Sequence, residues 1–213
     1  LDRQLVWGAL WELVREGRLS AATFIDQALG AAVDERSDVI VAALLIHVRT
    51  ALTRWLPTTC SAARTRAVDL GLTMARRSDA TLARPWLRLA VEAAASPEDL
   101  QRVGAALWRD AATRRVATPA MGWSVATTAT ATGLPEAQEW ADEAARGDPD
   151  GSEDGLAAME AARPDASIKA KVWQRIVAES DENGAPVAEA AMAAFFRPEQ
   201  LALVEPYVER FFE

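Results

Sequence analysis

The sequence predicts an all-α protein, and three observations lead to that fold class. Apolar residues recur at the three- and four-residue spacing of a helix face through most of the 213 residues. Several prolines directly follow cap-forming side chains, which is typical of helix starts. No sustained apolar alternation occurs, and no Asn-Gly or Asp-Gly turn lies between β-branched runs, so no strand pattern competes with the helical one.

The first two predicted helices are separated by a short turn. The first covers 1–16 and ends at Gly17, a residue that readily takes the left-handed conformation of a helix cap. Ser20 can accept hydrogen bonds from the exposed amides of the second helix, which runs to about Ala32.

The third predicted helix begins at Ser37 or Asp38 and ends before Pro57, because proline disfavours helical conformation in the residue before it. Its apolar residues go almost all the way round the helix, as in helices that are covered on several sides. We therefore expect this helix to be central.

Three more helices are predicted before residue 118. They cover about 60–77, about 79–94, and a segment that begins at Ser96. Pro85 falls in or near the first turns of the second of these, where a missing amide hydrogen costs little. Ser96 is followed by Pro97 and two acidic residues that favour the helix dipole, which makes this start the clearest in the chain.

Two further helices begin at proline. The cap and proline at 118–119 begin the seventh helix, which ends at Gly133. The eighth begins at 134–136 and ends near Gly147.

The segment 150–181 has the pattern of a complete helical hairpin. Its first helix ends at 163–164, where proline follows arginine, and its second begins at about Ala166. A turn is predicted at 181–184. The starts of the remaining helices are marked by Pro186, Pro198 and Pro206.

Alternate helix starts show a repeat. They fall near residues 3, 37, 79, 119, 152 and 186, which are 33 to 42 residues apart. Antiparallel helix pairs at about this interval are typical of HEAT-like and related solenoids. We therefore predict one helical-repeat domain over 1–213, a right-handed superhelix of the HEAT/armadillo type whose concave side can hold a partner or peptide.

Composition excludes several functions. The net charge of −8 argues against sequence-independent binding of nucleic acid, which needs basic surface. The longest apolar run, 39–46, is far shorter than the ~20 residues of a membrane span. Cys60 is the only cysteine, which is compatible with a reducing cytoplasm. The chain also opens directly on a helical pattern without Met, which suggests part of a longer protein.

Two isolated residues invite a functional interpretation. A zinc hydrolase needs two imidazoles one helical turn apart and a glutamate, whereas His47 is the only histidine. We expect it to be structural and satisfied by a local partner. Cys60 lies near a helix start, where a thiolate could be stabilised, but no histidine or second cysteine is close in sequence, and an inert thiol is favoured.

Two short motifs imitate functional sites. The segment 122–126 has the Gly-x-Ser-x-Ala form of a nucleophile elbow, but that motif needs a strand-to-helix turn and here lies inside a predicted helix. The acidic segment 148–153 begins like a calcium loop, but Glu153 stands at the sixth position, where the loop needs glycine, and Met159 at the twelfth, where it needs a bidentate glutamate, so we interpret the segment as a turn and a helix start.

The eight tryptophans are spread at about one per helix, which favours packing over a single aromatic platform. Lys169 and Trp173 lie one helical turn apart and could form a cation–π pair on the helix surface. The hydroxyl-rich helix around Trp123 could back-bond to the preceding turn, allow close helix approach, or line a wet cavity.

The order of helix-packing residues over essentially the whole chain resembles the C-terminal helical domain of bacterial aminopeptidase N, which is similar to the C-terminal region of the endoplasmic-reticulum aminopeptidases. The residues that carry the resemblance are Leu10-Trp11, Gly17, Ser37-Asp38, Val48 to Leu52, Ser96 to Leu100, Gly155 with the alanines that follow it, Arg163-Pro164, Lys169, Trp173, Gln200, Pro206-Tyr207-Val208 and Phe211-Phe212. Gly122 before Trp123 and the turn 181–186 depart from the pattern.

The resemblance implies a non-catalytic domain of a zinc aminopeptidase. Zinc would lie in a catalytic domain of the same polypeptide that is absent from this chain, and the helical domain would cap it and form part of a peptide-binding chamber. The fragment alone would not be an enzyme. Trp123 and Lys169 are our candidates for the chamber wall. The alternative is a free-standing helical-repeat adaptor that binds another protein.

Overall fold

A computed structural model describes residues 2–57, 60–178 and 185–211, and every regular element in these ranges is a helix. This confirms the predicted all-α fold class. The helices form two compact units, Leu1–Ala117 and Thr118–Glu213. The single domain and the right-handed superhelix stay predictions.

The first unit contains helices α1 to α7. Their bounds are Asp2–Arg15 (α1), Ala21–Asp34 (α2), Asp38–Arg54 (α3), Ser61–Arg77 (α4), Ala80–Ala93 (α5), Pro97–Trp108 (α6) and Ala111–Arg114 (α7). The caps explain these starts, because Ser20, Asp79 and Ser96 each accept a backbone N–H of the first turn. The short α7, capped by Asp110, was not predicted.

The second unit contains helices α8 to α13 and two short 3₁₀ helices. The bounds are Pro119–Thr132 (α8), Ala137–Gly147 (α9), Ser152–Ala162 (α10), Ala166–Ala178 (α11), Ala185–Phe195 (α12) and Leu201–Val208 (α13), with 3₁₀ helices at Pro198–Gln200 and Glu209–Phe211. Gly133 ends α8 with a φ of 72°, as its position predicts. Pro206 lies inside α13 rather than at a start, which corrects that prediction. The predicted turn at 181–184 lies outside the described residues.

In the first unit α4 packs most extensively against α5, while α3 lies against α2 and α5. Gly71 permits the α4–α5 contact, since a Cβ there would come within 2.8 Å of the Trp86 carbonyl oxygen. α3 is covered on more than one side, but two of its apolar residues are exposed, Val39 at 62% and Ile46 at 55%.

The second unit is built around α10, which packs most extensively against α12 and also against α8. Small residues on α10 allow this approach, as the sequence predicts for Ala157 and Ala161, which are buried in the same core as Ala191 and Phe195. α11 follows α10 in a hairpin but contacts it less than α12 does. Within the described ranges, no helix is long and apolar enough to cross a membrane.

Candidate functional site

The C-terminal ends of three helices meet at two buried polar side chains in the second unit. Lys169 Nζ donates hydrogen bonds to the carbonyl oxygens of Ala161 (2.5 Å) and Phe195 (3.0 Å), at the ends of α10 and α12. Gln200 Nε2 donates to the carbonyl of Ala162 at 2.8 Å and reaches that of Ala131, near the end of α8, at 3.5 Å. These two side chains satisfy carbonyls that have no partner within their own helices. We call Lys169 and Gln200 the buried polar pair.

Local sequence places Lys169 at this point. Asp165 caps α11 by accepting the N–H groups of Ser167 and Ile168, and its carbonyl accepts the amide of Lys169 at 2.9 Å. The Ser167 hydroxyl, which donates to the Asp165 carboxylate, is the main cause that lowers the pKa of this carboxyl. Lys169 therefore lies in the first turn of α11, and its side chain extends into the core.

Burial dominates the electrostatics of Lys169. Its side chain is fully buried, and desolvation, with a smaller contribution from Arg197, lowers its pKa to about 8, although Glu199 opposes the shift. The ammonium lies 4.8 Å from the centroid of the Phe195 ring, so a π face and two carbonyls surround the charge. The predicted surface pair with Trp173 is wrong, because Lys169 is buried and lies over Phe195.

Trp173 instead belongs to an aromatic cluster beside the buried polar pair. Its ring centroid lies 5.8 Å from that of Phe195 and 5.3 Å from that of Tyr207. Phe195 also meets Tyr207 edge to face at 5.2 Å. The cluster joins α13 to α11 and α12.

Trp123, the other candidate wall residue, lies on α8 and is 8% exposed. Gly155 of α10 faces the six-membered part of its indole so closely that a Cβ there would overlap the ring atoms. The indole Nε1 is buried and has no hydrogen-bond partner among the described residues. The structure thus gives Trp123 a packing contact, and whether it borders a peptide chamber stays a prediction.

The hydroxyls of α8 bond back to the preceding turn, and one of them, Thr130, also lies in the lining of a cavity. Thr128, Thr130 and Thr132 each donate to a carbonyl four residues earlier, at 2.9 to 3.1 Å. The segment 122–126 lies within this helix, so it lacks the strand-to-helix turn of a nucleophile elbow.

A cavity of about 480 Å³ opens in the second unit. We call it the α8–α10 cavity, and its lining consists of Thr130, Gly133, Leu134, Pro135, Ala137, Gln138, Leu156, Met159, Glu160, Arg163 and Pro164. Glu160 is held by Arg175 at 2.8 Å, so the rim carries a fixed ion pair beside apolar walls. Trp123 and Lys169 do not line this cavity. Sequence reasoning missed the cavity because its lining comes from three helices and the loops between them.

The other isolated residues have structural surroundings. His47 stacks on Trp11 with centroids 4.9 Å apart, and burial lowers the pKa of its imidazole against the opposing effect of Glu12. Among the described residues, its Nδ1 lacks the local hydrogen-bond partner that the sequence predicts.

Cys60 is a free thiol at the start of α4. Asp148 accepts the amide of Gly151, which confirms a turn at the acidic segment.

Comparison with known proteins covers the whole chain. The family model described as "ERAP1-like C-terminal domain" matches residues 1–213. A curated relative, aminopeptidase N of Streptomyces lividans, is 30% identical over 220 residues. The match covers 100% of this chain and 25% of the relative. The chain thus spans about a quarter of the length of the curated relative it matches.

Among the described residues no group of three His, Cys, Asp or Glu side chains could hold a metal ion.

Proposed function

The chain belongs to the family of ERAP1-like C-terminal domains, and from this premise we propose that it is the non-catalytic C-terminal domain of a zinc aminopeptidase. The observation that carries the proposal is the family match over residues 1–213, joined with a relative named aminopeptidase N. In this proposal the domain caps a catalytic domain of the same polypeptide and forms part of a chamber for peptide substrates. The same proposal includes a location in the reducing cytoplasm, with which the single cysteine is compatible.

Zinc would be bound by the catalytic domain. The described residues of this chain do not fit a zinc site, which needs at least three protein ligands. No step of peptide hydrolysis is therefore assigned to this chain. Its part would be to position peptides and limit access to the catalytic domain.

The α8–α10 cavity is the feature through which the second unit would contact a peptide. A volume of about 480 Å³ is enough to hold a small ligand or the side chains of a short segment. Leu134, Leu156 and Met159 would receive an apolar side chain, and Gln138 could hydrogen-bond a peptide backbone. Trp123 and Lys169 would act on peptide selection through the packing of α8, α10 and α12 rather than by lining this cavity.

The test compares two proteins made from the same gene, the full-length polypeptide and the chain 1–213. Aminoacyl 4-nitroanilides serve as minimal substrates, and zinc is removed with a chelator and then restored. We expect the full-length protein to cleave them, to lose activity with the chelator, and to recover it with zinc. The isolated chain should release no amino acid. Chelator-sensitive cleavage by the isolated chain, or a full-length protein without aminopeptidase activity, would contradict the proposal.

A further inference from the structure

The apolar side of helix α1 extends beyond the part that its neighbours cover. Of its apolar residues, Val14 alone is classed as buried. The exposed part of α1 is therefore an apolar surface without a partner among the described residues.

The inward side of α1 is made by its two tryptophans and Val14. The Trp7 ring meets Phe24 edge to face at 6.2 Å, and Trp11 lies 5.5 Å from Phe24 and 4.9 Å from His47. These contacts attach α1 to α2 and α3. They also fix which side of the helix is turned away from the unit.

The outward side carries a continuous apolar stripe. Positions 5, 9 and 13 are one turn apart along the helix, and positions 6 and 10 form the adjacent row. Leu5 is 67% and Val6 56% exposed, Ala9 is exposed, and Leu10 and Leu13 are half-buried. We call Leu5, Val6, Ala9, Leu10 and Leu13 the α1 stripe.

The charges next to the stripe are neutralised locally. Arg15 contacts Glu12 at 3.0 Å, and Arg3 contacts Glu35 at 3.4 Å. A helix that binds an anionic membrane surface instead presents unpaired lysine and arginine beside its apolar face. The stripe thus fits a protein surface rather than a lipid headgroup layer.

We propose that the α1 stripe is the docking surface for the polypeptide segment that precedes it in the full-length protein. This inference rests on the proposed function, in which the chain is the C-terminal part of a protein about four times as long as this domain, as in the curated relative. The preceding segment is joined directly to α1, which raises its effective concentration at the stripe far above that of any other partner. Burial of the stripe would hold the helical domain in one orientation on the catalytic domain.

The first test measures the accessibility of the stripe with a cysteine at position 9. Ala9→Cys and the control Ala105→Cys, an exposed alanine inside α6, are each made in the full-length protein and in the chain 1–213. Alkylation at each position is followed by peptide mass spectrometry, which separates it from other thiols. We expect alkylation of position 9 to be at least about tenfold slower in the full-length protein, with about the same rate at position 105 in both proteins.

Other occupants give different results. Equal rates at position 9 in the two proteins would overturn the proposal. Protection of position 9 in the isolated chain that grows with protein concentration would indicate a second copy and would also overturn it. Protection in both proteins only when anionic vesicles are added would assign the stripe to a membrane surface, with the same consequence.

A second test uses substitutions with a closely matched control. Leu5→Ser/Val6→Ser disrupts the stripe, while Leu201→Ser/Val177→Ser changes the same residue types at 61% and 58% exposure in the second unit. In the full-length protein carrying Ala9→Cys, the first pair should restore fast alkylation and the second pair should not. If both pairs or neither pair restores it, the proposal is wrong. Aminopeptidase activity is measured in parallel, so that an inactive protein with a protected stripe contradicts the proposed function alone.

Discussion

Gly155 of α10 lies against the indole of Trp123 of α8 with no room for a Cβ between them. The close approach of α8 and α10 therefore depends on the absence of a side chain at position 155. The contact also explains how a ring as large as Trp123 is 8% exposed on a helix whose other residues are mostly alanine and threonine.

Gly155→Ala should destabilise the second unit. The new methyl group must push the ring or α10 aside, and overpacking of this kind costs about 1–3 kcal/mol of unfolding free energy. Urea unfolding followed by tryptophan fluorescence measures the change.

The control is Gly30→Ala in α2, where a Cβ would meet nothing within 4 Å. That change should be neutral or stabilising by up to about 1 kcal/mol, since alanine is the better helix former. Equal effects at the two positions would show that the Trp123 contact does not limit position 155. Trp123→Leu should relieve the cost of Gly155→Ala in a double-mutant cycle.

Local chemistry made most of the helix boundaries predictable from sequence. Ser20, Asp79 and Ser96 cap helices where their positions predict, and Gly133 ends α8. The pairing of helices was not predictable in the same way, because α4 meets α5 through Gly71, whose role depends on a residue about fifteen positions later in the chain.

The candidate site was less predictable than the fold. Lys169 is one of two lysines in the sequence, but its carbonyl partners lie on α10 and α12, and Phe195 is 26 residues away in sequence. Only the family resemblance marks Gln200 in the sequence. A buried amide or ammonium leaves no local pattern, since it is defined by the helix ends that converge on it.

The buried charge of Lys169 should make stability depend on pH. Its pKa is lowered to about 8 in the folded chain from an ordinary value of 10.5, so the folded chain binds this proton less tightly than the unfolded chain. Below about pH 8 both states are protonated and the shift costs the fold about 3 kcal/mol. Between about pH 8 and 10.5 the folded chain releases the proton first, and unfolding free energy rises with pH. A neutral amine can still donate to both carbonyls, so the contacts survive this loss.

Urea unfolding of the wild type and Lys169→Met at several pH values from 7 to 10.5 tests this dependence. From pH 7 to 10.5, the unfolding free energy of the wild type should rise by up to about 3 kcal/mol more than that of Lys169→Met. The control for loss of a positive charge is Lys171→Met, two residues away on the exposed side of α11. Parallel pH profiles for the wild type and Lys169→Met would contradict the assignment of the dependence to this residue.

Filling the α8–α10 cavity should change peptide selection in the full-length protein. Leu156 lines the cavity and is 50% exposed, so Leu156→Trp can occupy the space with little strain on the core. The control is Val177→Trp, which adds a ring at a similarly exposed position outside the cavity lining. We expect the ratio of kcat/KM for a ten-residue peptide to that for an aminoacyl 4-nitroanilide to fall at least about threefold for Leu156→Trp, about 0.7 kcal/mol. An unchanged ratio would remove the cavity from the proposed chamber.

Trp123 can be tested as a residue that affects peptide selection by a change that keeps an aromatic ring on α8. Trp123→Phe removes the indole N–H, which has no partner among the described residues, and part of the ring that faces Gly155. If Trp123 acts on peptide selection through its packing in the full-length protein, the variant should lower the same kcat/KM ratio by about threefold or more, about 0.7 kcal/mol. Cleavage of the aminoacyl 4-nitroanilide should remain unchanged, because under the proposed function the catalytic domain alone holds this minimal substrate. Trp86→Phe in the first unit, where the ring is fully buried, controls for the general effect of losing an indole. A ratio that is unchanged for Trp123→Phe, or lowered equally by both variants, would leave Trp123 as a packing residue and nothing more.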